Sequence, residues 1–175
     1  IHKYVITKTF RVLREKHVHD DFIDQAMAEE DFSKAENLYH FILRNISFRI
    51  NEIPKDLDLN NREQVLELIY QFAYRELDAK KQELKTKELN EYFQRLSMLK
   101  AVDDNWVEQV DYLQQLRMAL SGQYTSQKNP LVEFFQEAYQ SFERMKEAAK
   151  EQMVRNLLLS RVEINKKGEI VLHFP

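Results

Sequence analysis

The sequence predicts a mainly α protein: a small helical wing, a long antiparallel helix hairpin and a short C-terminal β-hairpin. Three observations carry this. Tyr92, Leu96, Leu99, Asp103, Trp106, Val110, Leu113, Arg117 and Leu120 recur at alternating spacings of four and three, and Leu131, Phe135, Ala138, Phe142, Met145 and Ala149 repeat the pattern after a polar break at 121–130. Helix breakers are scarce, since the chain has 2 Gly and 3 Pro and none of them falls between Pro54 and Gly122. From Arg161 onward the apolar residues alternate with period two.

Along the chain, residues 1–30 carry Val5, Thr9, Val12, Leu13, Phe22, Ile23, Ala26 and Met27 mostly at helical spacing, as one long helix or two short ones. Ser33-Lys34-Ala35-Glu36 has capping-box form, so a helix is expected to start there. Its apolar stripe is Leu38, Phe41, Ile42 and Ile46, and it is expected to stop near Pro54, whose ring disfavours helical geometry in the preceding residue. Residues 51–60 read as a linker. Asn60-Asn61-Arg62-Glu63 offers a second cap, followed by the stripe Val65, Leu66, Ile69, Phe72, Ala73 and Leu77. The Lys, Glu and Gln of 78–90 predict a solvated helix bridging two lobes.

The hairpin follows. Gly122 suits the left-handed position past a helix end, and Asn129-Pro130 reads as N-cap and first helical residue. A polar connection this short makes the two helices antiparallel, with their seams buried against each other or against a neighbour. The helical pattern continues through Met153, Val154, Leu157 and Leu158. Val162, Ile164, Ile170, Leu172 and Phe174 then flank the turn Asn165-Lys166-Lys167-Gly168 as a β-hairpin, and two strands alone are marginal, so this ribbon is expected to pair with a sheet elsewhere.

Composition narrows the function classes. A chain of 175 residues with 43% hydrophobic and 31% charged content can bury a real core. Its net charge of −3 gives no basic field for a phosphate backbone, so nucleic acid is not an expected partner. Absence of Cys removes disulfides, thiolate nucleophiles and cysteine zinc sites. His17 and His19 would lie about 200° apart on a helix and cannot chelate one metal, so no metal or cofactor site is expected. With only Gly122 and Gly168 there is no phosphate-cradling Walker loop, and no enzyme activity is expected of this chain alone. No apolar run approaches the roughly 20 residues that span a bilayer. The start at Ile1, without Met and inside a helical pattern, reads as an excised piece of a longer protein.

Leu99-Lys100-Ala101-Val102-Asp103-Asp104-Asn105-Trp106, Leu116-Arg117, Gln127-Lys128-Asn129-Pro130-Leu131 and Phe142-Glu143-Arg144-Met145 resemble, in order and spacing, the C-terminal helical region of SecA, the bacterial protein-translocation motor. The resemblance implies that the hairpin is a two-helix finger facing a SecY-type channel. It implies residues 1–15 as the end of a scaffold helix, 16–85 as the helical wing, 86–160 as scaffold with the finger, and 161–175 as the ribbon. The sheet that the ribbon joins could belong to the motor region of the parent protein. ATP and Mg would bind in those motor domains. Housekeeping members end in a Cys- and His-rich zinc tail, whereas this chain ends Val171-Leu172-His173-Phe174-Pro175, which is closer to the accessory SecA type of Gram-positive bacteria. On that resemblance the tail's usual chaperone and lipid partners are not among the expected ones. Expected partners are a SecY-type channel, an exported preprotein and the motor domains of the parent chain. The expected location is cytoplasmic and peripheral at the inner face of the cell membrane, with membrane contact only through the channel.

In this family a bulky loop residue, often Tyr, is thought to touch the translocating polypeptide. Ungapped alignment puts Thr125 there, with Tyr124 one residue earlier, and the loop residues Gln123, Tyr124, Thr125, Gln127 and Lys128 are the candidate contacts. A Tyr at a polar tip offers apolar area and a hydroxyl at low entropic cost, although a plain exposed turn explains it too. Asp103 and Arg117 interrupt the seam on one face, about 21 Å apart by helical rise, too far to pair with each other. They are either coupling residues relaying finger position to the motor or, as favoured here, solvated seam ends and local ion pairs. Trp106, a possible coupling residue as well, is expected to be a core anchor by its seam position. The alternative from another class is a stand-alone helical adaptor whose exposed seam captures an amphipathic helix. An upstream reading frame with a phosphate loop would favour the motor reading, and a start codon just before Ile1 the adaptor.

Overall fold

The computed structural model describes residues 32–121 and 129–175, so the expectations for 1–31 and for Gln123, Tyr124, Thr125, Gln127 and Lys128 lie outside the described residues. Within them the order is α1 (Ala35–Asn45), α2 (Arg62–Leu84), α3 (Lys87–Ser121), α4 (Pro130–Leu159), β1 (Arg161–Ile164) and β2 (Ile170–His173). The fold is mainly α with a short antiparallel ribbon, as the periodicities predict.

Helix α1 buries Leu38, Phe41 and Ile42, but its limits differ from the sequence expectation. The cap position falls on Lys34, which makes no side-chain cap bond, rather than on Ser33. The helix ends at Asn45, well short of Pro54. A tertiary bond ends it: the Ser47 N–H reaches back to the Ile42 carbonyl at 2.9 Å while the Ser47 hydroxyl donates to Glu76 of α2 at 2.5 Å. The turn sends Ile46 and Ile50 into the core.

Helix α2 starts as its sequence predicts, with the Asn61 side chain accepting from the Glu63 and Gln64 N–H groups at 3.1 and 3.3 Å. The expected solvated bridge over 78–90 is not what forms. Lys80 and Leu84 are buried, the helix stops at Leu84, and Lys85 turns the chain through φ 59° before α3 begins at Lys87. No Gly or Pro is needed because burial of Leu84 and the following Thr86, whose hydroxyl accepts from the Leu89 N–H at 3.2 Å, fix both sides of the break.

Helices α3 and α4 form the antiparallel hairpin, 35 and 30 residues long, or roughly 50 and 45 Å by helical rise. Asn129 caps α4 by accepting from the Leu131 N–H at 3.0 Å, with Pro130 in the first turn, as predicted. The buried face of α3 is Phe93, Ser97, Met98, Ala101 and Gln109, rotated from the predicted seam. Trp106, expected in the core, is 47% exposed, and Tyr92 is equally open. Apolar residues surround α3 on nearly every side, so spacing alone did not single out the face that packs.

The wing core joins Phe32, Leu38, Phe41, Ile42, Ile46, Ile50, Val65, Ile69 and Ala73 to Val154, Leu158 and Leu159 from the end of α4. In the ribbon, Val162 pairs with Leu172 and Ile164 with Ile170. Gly168 adopts φ +81°, the left-handed turn position that a Cβ disfavours, and Asn165 Oδ1 accepts from the Lys167 and Glu169 N–H groups at 2.9 Å each. Among the described residues the sheet has these two strands only, and Val162, Ile170 and Leu172 pack on Leu84, Phe93 and Leu157. No helix of the described residues is long and apolar enough to cross a membrane.

Candidate functional site

The last two turns of α4 are buried on nearly every side, the pattern of a helix at the centre of a structure. Each side meets a different unit. Val154, Leu158 and Leu159 face the wing, Ala149 and Met153 pack on Met98 and Ala101 of α3, and Leu157 lies beneath the ribbon. Asn156, 1% exposed, donates to the Ser97 carbonyl at 2.9 Å and ties the two long helices together.

A polar clasp fastens the wing to this hub. Lys80 Nζ donates to the Leu158 carbonyl at 2.7 Å, one of the carbonyls that a helix end leaves without an intrahelical partner. Glu76 lies 3.9 Å from Lys80 and also takes the Ser47 hydroxyl, while Arg49 reaches Glu83 at 3.2 Å. Burial pushes the Lys80 ammonium below its ordinary range, with Glu76 and then Glu83 pulling the other way. Sequence reasoning missed the clasp, although a signal exists: Val65, Ile69, Ala73, Glu76, Lys80 and Leu84 form one continuous stripe, and two of its members are charged.

Beyond Ala101 on α3 and before Ala149 on α4 the hairpin becomes an arm of different character. Its buried residues are polar, Gln109 and Ser141, and the Gln109 amide donates to the Ser141 hydroxyl at 2.8 Å. Asn105 donates to Gln152 at 2.6 Å, and Gln152 to Asp104 at 3.0 Å. The hydrogen bond from Lys100 holds the Asp104 carboxyl below its usual range. Further out the Tyr112 hydroxyl donates to Glu137 at 2.8 Å, which raises the phenol and lowers the carboxylate, and Arg144 adds a bond to Glu137 at 3.0 Å. The outer surface carries Val107, Met118, Leu131, Val132, Phe135 and Tyr139 largely uncovered.

The residues picked from sequence are not brought together. Asp103 and Arg117 are both exposed and have no ion-pair partner among the described residues. Arg117 borders a shallow cleft of about 340 Å³ with Leu120, Pro130, Leu131 and Phe134, near the arm's end. Trp106 stands on the open side of α3 between these two charges. Among the described residues no group of His, Asp and Glu is placed to hold a metal ion. Chemically the arrangement is mechanical: a packed hub, a wing clasped to it, and a projecting arm with an apolar surface.

A family model for the SecA wing and scaffold domain matches residues 2–161, which takes in the wing, the clasp and the whole hairpin. The chain is 55% identical over 139 residues to protein translocase subunit SecA 2 of Streptococcus sanguinis (strain SK36), covering 79% of this chain and 18% of that protein. Against the Streptococcus gordonii protein of the same name the identity is 50% over 153 residues, 87% of this chain and 19% of the other. The Staphylococcus aureus (strain Newman) counterpart is 28% identical over 155 residues, 89% and 20% respectively. The chain thus spans about a fifth of the length of the curated relatives it matches. With the family model covering most of its length, the chain belongs to the SecA wing and scaffold domain family.

Proposed function

We propose that this chain is the wing-and-scaffold portion of an accessory SecA-type translocase motor, and that its hairpin carries displacement of the motor domains to a SecY-type channel and the exported polypeptide. The observation that supports this best is the hub at the end of α4, where wing, hairpin and ribbon share one packed centre from which the arm projects. Close-packed helices transmit rigid-body motion because their interiors resist compression. ATP and Mg would act in the motor domains of the parent protein, and no residue of this chain is assigned to them. The protein would work in the cytoplasm, at the inner face of the membrane, through its channel. Asp103 and Arg117, exposed along the arm, are available to contact the motor or the channel.

The test places single cysteines at Tyr124 and Thr125 in the full-length translocase subunit, engaged with channel and a stalled export substrate. This chain contributes no competing cysteine. A nucleotide-dependent crosslink to channel or substrate from either position is the expected result, and the stronger of the two identifies the contacting residue. Silence at both positions, while a control crosslink elsewhere on the subunit forms, would remove the finger role.

A further inference from the structure

Two charges lie on the buried stripe of α2, where apolar side chains would be cheaper to hold. Glu76 and Lys80 are each 6% exposed, and their carboxylate and ammonium sit 3.9 Å apart at the joint between the wing and α4. Burying an ion pair is a poor way to stabilise a fold, because the loss of hydration cancels most of the attraction, and apolar residues of equal volume commonly do as well or better. What a charged pair supplies and apolar packing does not is direction. The contacts of Val154, Leu158 and Leu159 with the wing core are non-directional and tolerate rotation of the wing about α4. The 2.7 Å bond from Lys80 Nζ to the Leu158 carbonyl tolerates only a few tenths of an ångström, because hydrogen bonds weaken steeply with distance and angle. The Ser47 hydroxyl on Glu76 extends the restraint to the turn after α1, so α1 and α2 are both referred to one carbonyl of α4.

We propose that the Ser47–Glu76–Lys80 clasp on the Leu158 carbonyl is a positioning device that fixes the angle of the wing relative to the finger. Lys80 is its central residue: it is the group that crosses from wing to scaffold. The consequence for translocation rests on the function proposed above, whereas the consequence for the wing angle does not.

The experiment uses the full-length subunit with spin labels at two exposed sites, Arg44→Cys in the wing and Val107→Cys on the arm, and with other cysteines removed. The clasp is neutralised with little change of volume by Lys80→Met with Glu76→Gln, which leaves Ser47 an acceptor, and by Lys80→Met alone. The expected wild-type distance distribution is single and narrow. In the paired variant it broadens at least twofold in width, thermal stability falls by no more than the loss of the one bond to the Leu158 carbonyl accounts for, and translocation falls severalfold. A folded variant with the wild-type width overturns the proposal. So does broadening that appears only with a larger loss of stability than that single bond explains, or a paired variant and a single variant that both fail to fold, since the clasp would then be an ordinary stabilising element. Broadening with undiminished translocation would leave the clasp in place and count against the coupling role instead.

Discussion

Ser141→Ala isolates what holds the arm together. Gln109 and Ser141 are 6% and 5% exposed, so the Gln109 amide loses its 2.8 Å partner at a site that water reaches poorly. An unsatisfied buried polar group costs about 1–3 kcal/mol, and the truncation itself removes only one oxygen, so about 2 kcal/mol is expected. Ser141 also donates to the Ala138 carbonyl at 2.9 Å, but that carbonyl belongs to the helix, which bounds its share of the loss. Replacing both partners with apolar groups of similar shape, Gln109→Met with Ser141→Ala, is expected to return to within about 0.5 kcal/mol of wild type, because neither side then carries an unpaired polar atom. Hydrogen exchange in the full-length subunit reads this locally. Amides of 105–112 and 138–145 should exchange about 30-fold faster in Ser141→Ala and close to the wild-type rate in the double variant. A double variant as unprotected as the single one would refute the reasoning, since the arm would then depend on the hydroxyl itself rather than on matched polarity.

Two further outcomes follow from exposure and charge. Trp106→Ala is expected to cost at most about 1 kcal/mol in urea unfolding, because the side chain is 47% exposed, whereas a buried Trp would cost about 3–5 kcal/mol. A loss in the larger range would mean that the open side of α3 is covered. The Asp104 carboxyl, held low by the Lys100 hydrogen bond, should titrate below the ordinary carboxylate range, and Lys100→Ala should move it back up. Because its folded-state pKa is depressed, its stabilising contribution is present above the unfolded value and lost as pH falls through the folded one, so protection around Gln152 should decline in that acid window, as an NMR titration would reveal.

Parts of the clasp and of the arm were within reach of pattern reasoning. Charged residues at the Glu76 and Lys80 positions of an apolar stripe are visible in the sequence, but their partners, the Ser47 hydroxyl and the Leu158 carbonyl, are 29 and 78 residues away along the chain. The Gln109–Ser141 bond spans 32 residues in the same way. Trp106 lies outside the core for a related reason, since apolar residues occur on nearly every side of α3 and the choice of buried face belongs to α4.

The sequence by itself determined the features that depend on contiguous atoms. The Asn61 and Asn129 caps, the left-handed Gly168 turn, the helical period of the hairpin and the alternation of the ribbon each follow from a side chain and the backbone within a few residues of it. Tertiary structure alone decided where α1 stops, how Lys85 breaks the chain without Gly or Pro, which face of α3 is buried and how the wing is clasped to α4. Those outcomes are set by which groups lose water to one another, and burial is a property of partners distant in sequence, which local propensity does not contain.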